Sequence, residues 1–434
     1  MKSETETPNA EKIAGIENYI TTSRGIKGIL RSSPESFYVE EISKLPDFHE
    51  DGKFTILRVK KANWDTLNFV RMLSRILRIS QKRIEFAGTK DKRAVTVQYF
   101  SISNLNDEQI KNLKNLKVKD AEIEVLGKAR RPIRLGDLFG NFFRISVLEI
   151  EDDDTEITLR EIEEKGVPNF FGLQRFGTIR FVTHEVGRHI LRSDFESAFW
   201  TYVAKPFQNE SEEVRKIREE IWNTRDARIG LKVLPDYLRY ERSLLQKFQE
   251  TGSEEKAILS LPKSLKMMFT HAYQSYVFNR LLSERIREFK TLKFVEKDDF
   301  AEFVKFEEVN GKKYLRLMED CSKVTEINRD RIEFLIRRKR GFLALPIPGF
   351  ETDVGEGWAT DKIREVLEED EIEFSNFKSK YKEFSSRGGY RVADMPYTCL
   401  NISIEDKNAI FTFYLLKGCY ATSFLREFTK STQA

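Results

Sequence analysis

The feature that most constrains the fold is a change of pattern along the chain, from strands to helices and back to strands. Near the N-terminus, residues 37–42, 53–61 and 94–103 alternate apolar and polar side chains, as half-buried strands do. From about residue 195 to residue 290 the apolar residues recur at helical spacing. Alternating strands then return near residue 400. A helical middle between strand-rich ends predicts one α+β domain that is interrupted by an insertion.

Residues 65–80 predict a helix that follows the second of these strand patterns. Asp65 or Thr66 can cap its first turn by accepting a hydrogen bond from a backbone N–H group. We expect its apolar stripe to consist of Leu67, Val70, Leu73, Ile76 and Leu77.

Length and composition indicate a folded protein of two or three domains. Of the 434 residues, 40% are hydrophobic and 33% are charged, which allows real cores and argues against wholesale disorder. No stretch approaches the ~20 apolar residues of a membrane span, and we expect no secretory signal at the N-terminus. Cys321, Cys399 and Cys419 lie far apart, which indicates a reducing cytoplasm and no zinc knuckle. The four histidines form no metal-binding pattern, so we expect no metal site.

The charges are nearly balanced, with a net charge of +4, but they are unevenly distributed. Basic residues cluster at 90–93, 128–134 and 337–340, whereas acidic residues cluster at 151–156 and 368–373. This segregation permits one positive face that could bind nucleic acid. Each cluster taken alone is better explained as a solvated helix or loop face.

The stretch FAGTKDKRAVT, from Phe86 to Thr96, places one acid, Asp91, among Lys90, Lys92 and Arg93. It lies between two predicted strands, so a charged turn is the simpler interpretation of these residues. The alternative is functional, because basic neighbours favour an ionised carboxylate that can act as nucleophile or general base. If the stretch continued as a strand, Arg93 would share a face with Asp91.

Two further segments could recognise RNA. In NFFGLQRFG (169–177), Asn169 can read a base edge, Phe171 can stack on an unstacked base, and Arg175 adds a guanidinium. The alternative is a tight corner whose phenylalanines enter the core. In GCYATSFLREF (418–428), Tyr420 offers another ring at a strand-to-helix turn, although the segment also fits a terminal amphipathic helix that docks on a sheet.

Together and in this order, several strings resemble the TruD family of tRNA pseudouridine synthases. They are SPESFYVEE, FAGTKDKRAVT, RLGDLFGNFF, GVPNFFGLQRFG, SYVFNRLLSER, LPIPG and KGCYATSFLRE, and the resemblance runs from about Gly28 to Phe428. It implies a pseudouridine synthase-type catalytic domain with a mixed or antiparallel sheet, interrupted by a second α+β domain, the TRUD insertion. On that pattern, residues 1–194 and 396–434 form the catalytic domain and residues 195–395 the insertion.

The resemblance also implies roles for individual residues. Asp91 matches the catalytic aspartate, and Arg31 matches a basic residue that holds either Asp91 or a phosphate. Asn169, Phe171 and Tyr420 match substrate-binding positions of the family. The remaining substrate contacts that we predict are Lys90, Arg93, Arg175, Arg130 and Arg131.

The implied reaction converts uridine to pseudouridine in tRNA, with uridine 13 as the implied target. It is an isomerisation, so it needs no redox cofactor, ATP or metal, and we expect a cytoplasmic monomer without cofactors. An ionised Asp91 would either attack C1′ or take a proton from C2′, and the sequence leaves both routes open. The competing hypothesis is a non-catalytic RNA-binding protein. A glycosidase would need a second acid, such as Glu85 or Glu40, and no paired-acid motif is present.

Overall fold

The computed structural model describes residues 6–151, 154–353 and 355–431, without the side chain of Glu319. Its strands are β1 (Phe37–Ser43), β2 (Phe54–Ala62), β3 (Ile84–Phe86), β4 (Val95–Ser103), β5 (Ala121–Ala129), β6 (Leu138–Val147), β7 (Phe300–Val309), β8 (Lys312–Lys323), β9 (Gly341–Ile347), β10 (Gly389–Val392), β11 (Tyr397–Glu405) and β12 (Asn408–Leu416).

Helices connect and cover these strands. They are α1 (Asn9–Ile13), α2 (Thr66–Leu77), α3 (Asp107–Lys114), α4 (Thr155–Lys165), α5 (Thr183–Leu191), α6 (Phe195–Ala204), α7 (Glu212–Thr224), α8 (Ala227–Val233), α9 (Arg239–Thr251), α10 (Glu254–Leu259), α11 (Lys263–Phe289), α12 (Arg329–Arg337), α13 (Trp358–Glu369) and α14 (Ala421–Thr429). Short 3₁₀ turns span Pro34–Ser36, Gln81–Arg83, Leu135–Asp137, Leu173–Arg175, Phe374–Phe377 and Lys382–Phe384.

Among the described residues, eight strands form one mixed sheet. Its order is β11-β12-β6-β1-β4-β2-β5, and β3 pairs with β4 beside this path. The pairs are antiparallel except for β1 and β4, which run parallel with Tyr38 opposite Val95. β1 therefore lies between two strands that follow it much later in the chain. The predicted α+β class with a mixed sheet is confirmed.

Helix α2 covers one face of this sheet. Asp65 caps it, because its carboxylate accepts a hydrogen bond from the N–H of Asn68. Its buried side chains include Phe69, Val70, Leu73 and Leu77, which pack with Leu57, Phe100 and Ile102 of the sheet. Two members of the predicted stripe are wrong, since Leu67 is 52% exposed and Ile76 is 46% exposed. A sheet contacts only a narrow arc of a helix, so the edges of the stripe stay in solvent.

The described residues divide into two compact units. The sheet unit takes its residues from Ser23–Arg160, Phe303–Asp320 and Met395–Ala434, and it contains the eight-stranded sheet. The helical unit takes its residues from Met1–Thr22, Glu161–Glu302 and Cys321–Asp394. The chain changes unit within α4, earlier than the domain bound predicted after residue 194. The predicted functional domains, 1–194 with 396–434 and 195–395, remain predictions.

The helical unit is built around α11, whose 27 residues are buried along most of their length. One apolar cluster of this unit includes Phe199, Trp200, Leu244 and Phe269. A second sheet among the described residues has four strands in the order β10-β9-β7-β8. No helix in the described part of the chain combines the length and apolar character needed to cross a membrane.

Candidate active site

Asp91 lies in an irregular loop between the end of β3 at Phe86 and the start of β4 at Val95. Its side chain is 43% exposed, so the carboxylate is accessible from solvent. The loop bends at Lys92 and Arg93 before the strand begins. The two interpretations of this stretch are therefore compatible, because a turn at the end of a strand can present a carboxylate for chemistry.

Arg31 is the cation that holds this carboxylate. Its Nη2 donates to Oδ2 of Asp91 at 3.0 Å, although the two residues are 60 positions apart in the sequence. The Arg31 side chain is only 12% exposed, and its guanidinium lies 4.5 Å from the centre of the Phe37 ring. Its backbone is left-handed, with φ +56°. The arginine is thus held by the ring and by its backbone, which orients the charge toward Asp91.

Beneath the loop, Lys90 forms a buried ion pair with Glu41 of β1. Nζ of Lys90 lies 3.1 Å from Oε2 of Glu41, and their side chains are 5% and 0% exposed. Ser43 donates a hydrogen bond to Glu41, and the N–H of Lys90 donates to the hydroxyl of Thr66. Lys90 was predicted to contact substrate. This placement instead favours a role in anchoring the Asp91 loop to the sheet, because the ammonium is buried and paired.

Sequence reasoning missed Lys61, a second buried lysine near this loop. Its Nζ donates to the carbonyl of Trp64 at 2.8 Å and to the hydroxyl of Thr96 at 2.9 Å. Burial, and secondly the charge of Lys90, lower the pKa of Lys61 from an ordinary value of 10.5 to about 8, while nearby Asp91 acts in the opposite direction. A signal was present, because two consecutive lysines on a half-buried strand must place one inward.

The other predicted basic contacts of the sheet unit lie at its surface. Arg93 is exposed and precedes β4, so the argument from strand alternation does not apply to it. Arg130 pairs with Asp51 at 3.0 Å. Arg131 pairs with Asp137 at 2.7 Å. A phosphate at either of these two arginines would compete with a carboxylate that is already bound.

In the helical unit, Asn169 is buried and its amide is engaged. Nδ2 donates to the carbonyl of Val392 at 2.8 Å, and Oδ1 accepts from Nη2 of Arg391 at 2.7 Å. Nε of Arg391 also donates to the backbone carbonyl of Asn169 at 3.2 Å. The amide of Asn169, predicted to read a base edge, therefore positions Arg391 in this structure. Sequence reasoning did not single out Arg391.

Phe171 is half-buried. Its exposure is therefore intermediate between that of the predicted stacking platform and that of a core residue, which was the alternative. The guanidinium carbon of Arg391 lies 4.1 Å from the centre of its ring, and Phe278 meets the ring edge-on at 5.4 Å. Asn279 fixes the backbone, since its amide accepts from the N–H of Phe171 and donates to its carbonyl. Arg175 lies 5.8 Å from the same ring. Asn279 belongs to the string SYVFNRLLSER, so its neighbourhood was already marked by the resemblance.

Arg175 is also tied to helix α11. Its Nε donates to the hydroxyl of Ser275 at 3.2 Å. Burial, with a contribution from Arg175, lowers the pKa of nearby His271.

Within the described residues, no group of three or more His, Cys, Asp or Glu side chains is arranged to hold a metal ion.

Tyr420 is the last residue before α14 in the sheet unit. Its carbonyl accepts the hydrogen bond from the N–H of Phe424 that begins the helix, and its side chain is half-buried. Phe424 packs against Phe413 of β12 with ring centres 4.5 Å apart, and Phe428 packs against Phe411 at 5.1 Å. The helix docks on the sheet, as the amphipathic alternative predicted, and Tyr420 stands at its N-terminal end.

Comparison with known proteins identifies the family. The model of the family tRNA pseudouridine synthase D (TruD) matches residues 13–428. A protein from Archaeoglobus fulgidus, named Probable tRNA pseudouridine synthase D, is 56% identical over 422 residues that cover 97% of this chain and 99% of that protein. Its namesake from Methanococcoides burtonii is 38% identical and covers 98% of both chains. A crystal structure of TruD from Methanosarcina mazei matches with a TM-score of 0.81, at 36% identity, over 99% of each chain. The chain therefore belongs to the TruD family of tRNA pseudouridine synthases, isomerases that act on uridines of tRNA.

Proposed function

We propose that this enzyme converts uridine 13 of tRNA to pseudouridine, with Asp91 as the catalytic carboxylate. The observation that carries the assignment of Asp91 is its ion pair with Arg31, at 3.0 Å on an accessible loop. The loop is anchored from below by the buried pair of Lys90 and Glu41, so the carboxylate is held in place without being buried. Position 13 follows from the family resemblance.

The chemistry needs an ionised carboxylate next to the ribose. The bond between N1 and C1′ breaks, the uracil turns, C5 bonds to C1′, and the proton leaving C5 is balanced by one gained at N1. Asp91 starts this sequence in one of two ways: it attacks C1′, forming a bond that breaks when C5 bonds to C1′, or it removes the proton from C2′, which returns to C2′ when C5 bonds to C1′. In both routes Arg31 orients the carboxylate through its hydrogen bond to Oδ2.

The RNA must present an unstacked base, and extruding a base costs a few kcal/mol. Phe171 supplies a ring for stacking, which returns about 1–3 kcal/mol per base. Because the guanidinium of Arg391 lies over the Phe171 ring, the base stacks beside it on the ring or on the guanidinium itself. Tyr420 at the start of α14 adds a second ring. Arg93, Arg130, Arg131 and Arg175 contact phosphates of the tRNA, which makes its affinity sensitive to salt.

We further propose that residues 1–194 and 396–434, which include Asp91 and Arg31, form the catalytic domain, and that residues 195–395 form the insertion. The enzyme acts as a monomer in the cytoplasm. In the described part of the chain, Cys321, Cys399 and Cys419 form no disulfide bond with one another, as a reducing compartment would leave them. Light scattering of the purified protein tests the monomer.

The decisive experiment is incubation with unmodified tRNA transcripts, followed by mapping of pseudouridine at single-nucleotide resolution. We expect product at position 13. Product at another uridine would overturn the position while leaving the reaction intact. Tight tRNA binding by the wild-type protein without any product would instead favour the non-catalytic RNA-binding alternative.

A further inference from the structure

A cavity of about 650 Å³ lies within the sheet unit, and Glu41, the partner of Lys90, is one of its lining residues. Its floor comes from β1, β4 and β6, and its other wall from the turn between β7 and β8. The lining residues that matter here are Glu40, Tyr99, Phe142, Lys312, Lys313 and Tyr314. The volume falls within the range of pockets that hold small organic ligands.

The hairpin of β7 and β8 is fixed over this face of the sheet. The hydroxyl of Tyr414 donates to the carbonyl of Leu315 at 2.7 Å, and the rings of Tyr314 and Tyr414 lie 5.0 Å apart. Phe142 stands opposite both Tyr414 and Glu40 in the strand register, so these side chains share one face. The cavity is thus a preformed space with aromatic walls.

Glu40 supplies a carboxylate on the floor of this cavity. One of its oxygens accepts a hydrogen bond from the hydroxyl of Tyr38 at 3.0 Å, and Arg58 lies 3.6 Å from the other. Burial and this carboxylate raise the pKa of Tyr38 to about 12, so the phenol remains a donor at neutral pH. A carboxylate offers about four acceptor sites, so Glu40 can accept further hydrogen bonds from a ligand.

We propose that this cavity binds one unstacked nucleotide of the tRNA whose base carries an exocyclic amino group. The base stacks against Tyr314 and Phe142, and its amino group donates to Glu40. Lys312 and Lys313 are exposed at the hairpin turn, where they can contact the phosphates of that nucleotide. The inference rests on tRNA being the substrate, and it goes beyond the proposed role of Asp91.

This nucleotide differs from the uridine that reacts. Arg31 and Asp91 precede the N-terminal ends of the parallel strands β1 and β4, whereas Glu40 and Tyr99 lie well inside them. At about 3.3 Å per residue, the cavity begins roughly 10 Å further along the strands. Its chemistry also disfavours uracil, since the single N3–H of uracil is flanked by two carbonyl oxygens that would face the carboxylate.

The test removes the ring of Tyr314 from the protein and single bases from the RNA, separately and together. Transcripts that lack the base at one nucleotide at a time around the reacting uridine are assayed with wild type and with Tyr314→Ala. We expect one such transcript to raise the KM of the wild type about tenfold. Tyr314→Ala should raise the KM for the intact transcript similarly, and the same missing base should then add nothing.

Two further variants keep the test informative. Phe306→Ala is the matched control, because Phe306 is a 48% exposed aromatic residue on the same hairpin that does not line the cavity. Its KM should equal that of wild type. Glu40→Gln should reduce the preference for an amino-bearing base over uridine at the identified position. If Tyr314→Ala melts at a lower temperature than the wild type, Glu40→Gln replaces it in the comparison.

The proposal is overturned if every missing base leaves KM unchanged, or if the missing base and Tyr314→Ala act independently. Unchanged base preference in Glu40→Gln would also overturn it. If the wild type modifies a uridine other than 13, the scan is centred on that uridine. If it makes no pseudouridine, so that the proposed function fails, the same comparison is made with the dissociation constant for tRNA.

Discussion

The candidate active site works through the way individual side chains are held. Asp91 is accessible, and its position is fixed by Arg31 from one side and by the Lys90 anchor from below. Arg31 is itself confined by Phe37 and by a left-handed backbone. A carboxylate that is both exposed and fixed can react with a bulky RNA without a large rearrangement of its loop.

Replacing Asp91 with asparagine should abolish catalysis while preserving tRNA binding. Asn is isosteric but has no negative charge, so it can neither attack C1′ nor remove a proton. We expect single-turnover pseudouridine formation to fall by roughly a thousandfold or more. Affinity for tRNA, measured by filter binding, should change less than threefold. Asp107→Asn serves as the control, since Asp107 is a highly exposed carboxylate elsewhere in the sheet unit. A D91N variant with appreciable activity would contradict the assignment.

Asn169 and Arg391 should behave as one unit in a double-mutant cycle. Arg391 donates to both the side chain and the backbone carbonyl of Asn169, so Asn169→Ala removes one of these two bonds and Arg391→Ala removes both. We expect Asn169→Ala and Arg391→Ala to raise the KM for tRNA, and the double variant to be scarcely worse than the more affected single variant. Their coupling in the free energy of unfolding should be about 1–2 kcal/mol. Additive effects on both quantities would show that the two residues act independently.

At the scale of elements, local patterns were sufficient for the strands and helices but insufficient for their arrangement. The predictions for residues 37–42, 53–61 and 94–103 are confirmed by β1, β2 and β4 within one or two residues, because alternation reports a half-buried strand directly. The position of β1 between β4 and β6 depends on pairing between distant segments, which no local pattern contains. For the same reason, the sequence did not predict that Lys90 pairs with Glu41 or that Asn169 pairs with Arg391.

The ion pair of Lys90 and Glu41 joins the Asp91 loop to β1, so its loss should loosen that loop. Lys90→Met leaves the fully buried Glu41 without a counter-charge, and we expect a loss of about 3–5 kcal/mol in the free energy of unfolding. In Lys90→Met/Glu41→Leu no buried charge remains, so much of this loss should be recovered, as measured by urea denaturation. If the double variant is as unstable as Lys90→Met, the stability lost in Lys90→Met does not come mainly from the unpaired charge of Glu41.

At the scale of the whole molecule, each unit contains a buried base whose ionisation opposes folding, Lys61 in the sheet unit and His184 in the helical unit, and the two titrate in different pH ranges. In the sheet unit, the pKa of Lys61 is about 8 in the folded chain and 10.5 ordinarily, so the unfolded state binds more protons between these values. Stability should therefore rise with pH across that range, by about 1 kcal/mol between pH 8 and 9. Lys61→Met should remove this rise in urea denaturation curves. If the free energy of unfolding of the variant rises by the same amount, the rise comes from the titration of another group.

In the helical unit, His184 should make stability depend on pH on the acid side. Its ring is stacked 4.9 Å from Tyr276, and its Nδ1 is buried without a hydrogen-bond partner among the described residues. Burial, and secondly the charges of Arg188 and Lys205, lower the pKa of His184 from 6.5 to about 3. The stabilisation is therefore complete above pH 6.5 and is lost as the pH falls toward 3.

Between pH 7.5 and pH 5 this single group should cost the helical unit about 2 kcal/mol, because the unfolded histidine takes up a proton that the folded one refuses. Hydrogen exchange followed by mass spectrometry can measure the loss separately for peptides of each unit, which a single melting curve of a two-unit chain cannot do. His184→Phe keeps a ring at the stacking position and removes the titration, so its helical unit should resist acid better than that of the wild type. Equal acid sensitivity in wild type and variant would show that other groups control the acid stability of this unit.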